Sequence, residues 1–256
     1  EYPYYDRQLN VHLFNEMMAA LEDALEGDVV LLHGCCHNPT GADLSDEQWQ
    51  QLAALLERRK LIPFIDLAYQ GFGRGLDEDA YGVKLLTRSI PEVIVASSSS
   101  KSFSIYRERA GMISLVSDLS QEKSSWLRKE ILEVTRGLYF MSADHGAAIV
   151  VEILESPELT AIWRNELDQI RDRINSMRQQ FADGIAKQSG TDQYSYISHQ
   201  YGMFSLLPLD TGKLHELETE FSIYLIPGGR LNFAGLSEKS MDYVVNGICT
   251  IAGRAS

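Results

Sequence analysis

The chain has 256 residues and a formal net charge of −13, from 23 Lys+Arg against 36 Asp+Glu, and 45% of its residues are hydrophobic. Such a chain can bury a core without disulfides or metals, whereas its acidic surplus, with no Lys/Arg run that makes a concentrated basic patch, argues against a nucleic-acid or anionic-membrane partner. No stretch approaches the roughly 18 consecutive apolar residues of a membrane span. The start, Glu1-Tyr2-Pro3-Tyr4-Tyr5-Asp6, has neither an initiator Met nor an export pattern, and the expectation is that the chain is a piece of a longer protein.

In chain order, Asp28-Val29-Val30-Leu31-Leu32-His33 is a continuous apolar run, which predicts a strand buried on both faces. Ser45-Asp46-Glu47-Gln48 forms a capping box ahead of Trp49, Leu52, Leu55 and Leu56 at helical spacing. Leu61 to Ile65, closed by Asp66, predicts the next strand, Glu92 to Ala96 a third and Met112 to Val116 a fourth. Buried strands alternating with amphipathic helices predict an α/β fold with a mainly parallel sheet, whose ligands gather at the carboxyl ends of the strands. Beyond Pro157, the apolar positions Leu159, Trp163, Leu167, Ile170, Ile174, Met177, Phe181 and Ile185 describe one helix of roughly 30 residues. After Gly190 the pattern becomes short strands, Met203 to Leu207, Ile223 to Ile226 and Arg230 to Phe233, and a last helix from about Glu238 to Ile251. The expected organisation is a large domain over 1–158 and, over 159–256, the long helix with a smaller α/β domain.

Three polar clusters follow the first three strands. His33-Gly34-Cys35-Cys36-His37-Asn38-Pro39-Thr40-Gly41 invites a metal reading, but extended backbone turns Cys36 away from His33, Cys35 and His37, and no second ligand pair stands at zinc spacing, so no metal is expected. Three cysteines, two of them adjacent, exclude a disulfide scaffold and suit a reducing cytosol. Asp66-Leu67-Ala68-Tyr69 puts a carboxylate at a strand end with a phenol three residues on; alone, the Asp reads equally as a turn cap. The third cluster runs from Ser97 to Gly111. Its Lys101-Ser102 lacks the glycines of a P-loop, and Ser98-x-x-Lys101 lacks the companion motifs of serine hydrolases.

Taken in order and with their gaps, Cys35-Cys36-His37-Asn38-Pro39-Thr40-Gly41, Asp66-x-Ala68-Tyr69-Gln70-Gly71-Phe72, Ser98-x-x-Lys101, Glu108-Arg109-x-Gly111 and Gly229-Arg230-x-Asn232 closely resemble the aspartate and aromatic amino-acid aminotransferases, pyridoxal-phosphate enzymes of fold type I. The resemblance spans essentially the whole chain. It implies transfer of an amino group between an aspartate-like or aromatic amino acid and a 2-oxo acid such as 2-oxoglutarate, with pyridoxal 5′-phosphate as cofactor. Lys101 then holds the cofactor's aldehyde covalently and moves the substrate proton, Asp66 keeps the pyridine nitrogen protonated, and Tyr69 and Asn38 donate to the ring oxygen. Ser98 and Arg109 bind the phosphate, Arg230 grips the substrate α-carboxylate, and His33 and His37 pack behind. Such chemistry needs an electron sink and a positioned base, which these residue types supply.

Arg136 aligns with an arginine that in this family reaches across a homodimer interface to the substrate's distal carboxylate; alone it reads equally as a surface arginine at a helix end. Phe140-Met141-Ser142-Ala143 follows it where the family usually has Ser-Asn-Pro-Pro, which leaves an aromatic substrate at least as well suited as a dicarboxylate. Ser102 and Arg107 also stand where Asn is common. Roughly the first third of the family pattern lies outside the sequence, including the turn that completes the phosphate site and the ring that stacks on the cofactor. Weak cofactor attachment, slow turnover and exposed strand edges are therefore expected of this chain. A protein that kept the fold as a non-catalytic remnant or interaction module is the alternative, but it has no use for an electron-sink carboxylate.

Overall fold

Residues 1–254 are described by a computed structural model. Val29–His33 (β3), Ile62–Leu67 (β4), Glu92–Ser98 (β5) and Gly111–Ser117 (β6) form a sheet in the order β3-β4-β5-β6, preceded by a two-residue ribbon of β1 (Tyr5–Asp6) and β2 (Val11–His12). The β3-β4 and β4-β5 pairs are parallel, and β6 returns antiparallel to β5. Right-handed βαβ logic explains the parallel pairs, since a helix separates each strand from the next. Helix α1 spans Phe14–Glu22, α2 spans Asp46–Arg59 and α3 spans Tyr81–Ser89. The predicted capping box is present: Ser45 Oγ accepts from Gln48 N–H at 3.2 Å while Gln48 Oε1 accepts from Ser45 N–H at 2.9 Å.

The expectation that β3 is covered on both faces fails. Its register places Leu32, Ile65 and Val95 in one buried row across three strands, but the alternate row of Leu31, Phe64 and Ile94 is half covered, with Leu31 52% exposed and Val29 56% exposed. Strand β6 is likewise largely uncovered, with Met112, Ile113, Leu115 and Val116 exposed. The period of two fixes what shares the half-covered face: the next row is His33, Asp66 and Ala96.

Helix α4 spans Gln121–Tyr139 and α5 His145–Glu155; Pro157 then opens the predicted long helix, α6, which runs 33 residues to Ser189. Its buried stripe is Leu167, Ile174, Met177, Phe181 and Ile185, with one charged member, Arg178. Helix α7 (Thr211–Phe221), the antiparallel pair β7 (Phe204–Leu206) and β8 (Arg230–Asn232), and α8 (Glu238–Ala252) complete the chain, with α8 packed on α6. The predicted strand at Ile223 to Ile226 does not form. Ser222 adopts φ 51°, Gly228 and Gly229 turn at φ 91° and 77°, and only Ile226 bridges to Arg230, so these apolar residues line a loop rather than pair with a neighbour. A single apolar cluster joins the α2-covered face of the sheet to the α6–α8 layer. Among the described residues no helix is long and apolar enough to cross a membrane.

Two helical glycines test this packing with opposite signs. A Cβ on Gly82 would lie 2.6 Å from the buried Trp49 indole, whereas one on Gly137, in α4, meets nothing within 4 Å. Alanine gains about 0.5–1 kcal/mol of helix stability over glycine, and overpacking a rigid ring costs about 1–3 kcal/mol. Urea unfolding is expected to show Gly82→Ala destabilised and Gly137→Ala stabilised; shifts of the same sign would contradict the packing described.

Candidate active site

The parallel register brings the three sequence clusters to one end of the sheet. Asp66 is the penultimate residue of β4, opposite His33 on β3, and the serine cluster begins where β5 ends. The Asp66 carboxylate has no hydrogen-bond or ion-pair partner among the described residues, so nothing here makes it a turn cap. That role belongs to buried Asp79, which accepts from the backbone N–H groups of Gly71, Gly73 and Arg74 at 2.8–2.9 Å and holds the turn that follows Tyr69.

Tyr69 stands at the centre of the constellation. The Lys101 Nζ lies 5.5 Å from its ring centroid, and the Phe204 ring meets it edge-on at 6.0 Å. Burial raises the Tyr69 phenol's pKa, the Arg230 charge pulls it back and the Asp66 carboxylate pushes it further up. Arg230, on β8, donates from Nη1 to Asn38 Oδ1 at 2.9 Å and stacks its guanidinium over Phe204 at 4.4 Å, while its buried Nε has no partner. With its carbonyl occupied, the Asn38 amide keeps its NH2 free to donate.

Lys101 has no carboxylate or hydroxyl on its amine. Its Nζ rests 4.1 Å from the Tyr106 ring centroid instead, and burial together with nearby Arg109 lowers its pKa below the ordinary lysine value. The backbone beside it is anchored: Phe103 stacks on Trp163 of α6 at 4.5 Å, and the Trp163 indole N–H donates to the Ser102 carbonyl at 2.7 Å. Arg109, in left-handed backbone at φ 54°, donates to the Tyr106 carbonyl at 2.9 Å and to Ser100 Oγ at 3.4 Å. The predicted Ser98 instead accepts from the Ser100 N–H at 3.3 Å, so Ser100 and Tyr106 are the members of this corner that sequence reasoning missed. Arg136 stands apart on exposed α4, its guanidinium 4.9 Å from the Phe140 ring.

Behind Asp66, the His33 and His37 rings lie 4.3 Å apart, His37 stacks on Tyr4 at 4.1 Å and its Nδ1 is 2.9 Å from Thr40 Oγ1. Burial lowers the His33 pKa and Asp66 raises it in part. Cys36 departs from the alternation expected of extended backbone. At φ 51° it turns its thiol beside that of Cys35, and the donor atoms of Cys35, Cys36 and Asp79 lie within 4.8 Å of one another.

An unpartnered carboxylate at a strand end, an amine without a counter-ion, and two arginines with spare donors form a donor set suited to a small, multiply charged ring compound. The sequence profile of the family described as aminotransferase class I and II matches residues 1–248. The chain belongs to that family. It is 41% identical to the aspartate aminotransferase of Haemophilus influenzae over 251 residues, 98% of this chain and 63% of that protein. It is 44% identical to the tyrosine aminotransferase of Rhizobium meliloti over 235 residues, 92% of this chain and 60% of that protein. The crystal structure of an aromatic-amino-acid aminotransferase from Burkholderia pseudomallei, covalently bound to pyridoxal phosphate, superposes with a TM-score of 0.93 at 42% identity, covering 98% of this chain and 62% of that one. The chain thus spans about three fifths of the length of these class I and II aminotransferases, and its α/β fold is theirs.

His37 supplies a pH test of the packing behind the site. Burial, with His33 and His12 adding like-charge repulsion, pushes its pKa down to about 3, from about 6.5 when unfolded. Between those values the unfolded chain binds the extra proton, so His37 contributes stability that is complete above pH 6.5 or so and is lost as pH falls. Relative to His37→Gln, the unfolding free energy of the native sequence should drop by up to roughly 2 kcal/mol from pH 7 to pH 5. Because other titrating groups are common to both proteins, a pH-independent difference in urea unfolding would contradict this burial.

Proposed function

We propose that the chain is the greater part of a pyridoxal-phosphate-dependent aminotransferase that moves an amino group between an aspartate-like or aromatic amino acid and a 2-oxo acid such as 2-oxoglutarate. The observation that carries this reading is the Lys101 amine, free of any anion and set beside Tyr69, with Asp66, Arg109 and Arg230 arranged around the same space. When bound, pyridoxal phosphate supplies an aldehyde for the substrate nitrogen and a ring that accepts the electron pair left at Cα.

The chain's own residues do the rest. Arg109 and Ser98 hold the phosphate, the guanidinium as a fixed charge and the hydroxyl as a short neutral donor. Asp66 keeps a proton on the pyridine nitrogen, and its lack of another partner supports that role. Tyr69 and the free Asn38 NH2 donate to the ring oxygen. Arg230 receives the α-carboxylate; its unsatisfied Nε is a donor waiting for an acceptor, and its bond to Asn38 fixes the fork for a bidentate pair. Lys101 takes the proton from Cα and returns one at C4′ of the cofactor, and a site that disfavours its ammonium makes that exchange easier. His33 and His37 back Asp66 without touching the reacting atoms.

The same reading assigns residues 1–158 to the larger, cofactor-binding domain and 159–256 to the long helix and smaller domain, places the protein in the cytosol, and makes it a homodimer with shared sites. Arg136 then serves its partner's site as reader of a distal carboxylate, while apolar Phe140 and Met141 beside it favour aromatic substrates as well.

Borohydride reduction of the chain with pyridoxal phosphate, followed by digestion, should leave a single pyridoxyl label on the Lys101 peptide. Asp66→Asn should keep that label but lower transamination of aspartate or tyrosine with 2-oxoglutarate by several orders of magnitude. A label scattered over surface lysines would leave the non-catalytic alternative standing, and an Asn variant with unchanged turnover would overturn the role given to Asp66.

A further inference from the structure

Tyr106 is poorly explained by packing. It opens the 3₁₀ turn Tyr106–Glu108, the residue is 60% exposed, and its hydroxyl has no hydrogen-bond partner among the described residues. What its ring does touch is charge: Lys101 Nζ lies 4.1 Å from the centroid and the Arg109 guanidinium carbon 5.7 Å from the same centroid. Two cations that repel one another thus lie against one aromatic ring, and the Arg109 bond to the Tyr106 carbonyl fixes the turn that presents it.

We propose that Tyr106 is a positioning residue, whose ring is the seat on which the Lys101 amine rests whenever it is not bonded to another group. The proposal rests on the reading of Lys101 given above. The lysine backbone is pinned through Phe103, Ser102 and Trp163, but its four-carbon stem turns freely, and no oxygen holds the amine. Tyr69 offers a second ring, but at 5.5 Å and with its phenol among Arg230 and Asp66. A seat made of a ring holds the ammonium without neutralising it, as a carboxylate would, so the amine stays close to the strand ends and still gives up its proton readily. The charged and titratable groups facing Lys101 are Arg109, Tyr69 and Tyr106; burial and Arg109 favour the neutral amine, and the ring opposes them.

Trace acetylation of the cofactor-free chain across a pH series, read by mass spectrometry on the Lys101 peptide against exposed Lys239, measures where this amine titrates. Tyr106→Leu should lower that midpoint by about half a pH unit, because the ammonium loses its π-face, while Tyr106→Phe should leave it in place. An unchanged or raised midpoint in the Leu variant would overturn the proposal, as would an equal fall in the Phe variant, which would assign the effect to the hydroxyl. The measurement uses no pyridoxal phosphate, so failure of the seat is distinguishable from failure of Lys101 to take the cofactor.

Discussion

The site depends on a buried guanidinium that never enters it. Arg178, on α6, is 1% exposed and meets only neutral acceptors: it donates to the carbonyls of Ile197, Tyr201, Gly202 and Phe204 and to Ser205 Oγ, and lies 4.4 Å from the Phe233 ring. Burial lowers its pKa to about 10, still leaving it charged at neutral pH. Removing such a charge from water is costly, and a planar fork with five donors is the side chain best able to offset that cost when each donor finds an acceptor. The result is a clamp on the segment that leads into β7. The same segment reaches the Asn38 turn through the Tyr201 N–H bond to the Gly41 carbonyl at 2.8 Å. Gly41 must be glycine, since at φ 71° a Cβ would lie 2.4 Å from the Phe204 carbonyl oxygen. Arg178 thereby holds β7 and its partner β8 against the sheet, which is what lets Arg230 reach Asn38 from 192 residues away in sequence.

The sheet contributes a second constraint. Because side chains alternate, the choice that buries Leu32, Ile65 and Val95 obliges His33, Asp66 and Ala96 to face the half-covered side. Asp66 is half-buried there and free of internal partners, because the turn that follows is held by a different acid, Asp79. Under the proposed function, that free carboxylate is the one available to a ring nitrogen.

Much of this was legible in the sequence, and the failures have physical causes. The capping box at Ser45, the three parallel strands and the long helix follow from local pattern alone, and the helix stripe even carried a signal for Arg178, a charge four residues after Ile174 and three before Phe181, on the buried face. Ile223 to Ile226 reads as a strand because apolar content does not reveal whether a pairing partner is available. Cys36 escapes the alternation rule through a left-handed backbone angle that no side chain announces. Tyr106 lies between two motif residues, and only geometry shows both cations close to its ring. The outer face of β3 reads as buried from its apolar run, but coverage is supplied by neighbours, and the described residues leave that face half covered and the apolar side chains of β6 exposed.

The measurement that bears most directly on the account is a single half-reaction followed by absorbance. Chain saturated with pyridoxal phosphate is mixed with aspartate or tyrosine in the absence of any 2-oxo acid. The account predicts slow conversion of the cofactor's absorption to that of its amine form, with a matching quantity of 2-oxo acid released, reversal on adding 2-oxoglutarate, and no conversion in Lys101→Ala. An unchanged spectrum with no 2-oxo acid formed, or conversion that persists without Lys101, would contradict it.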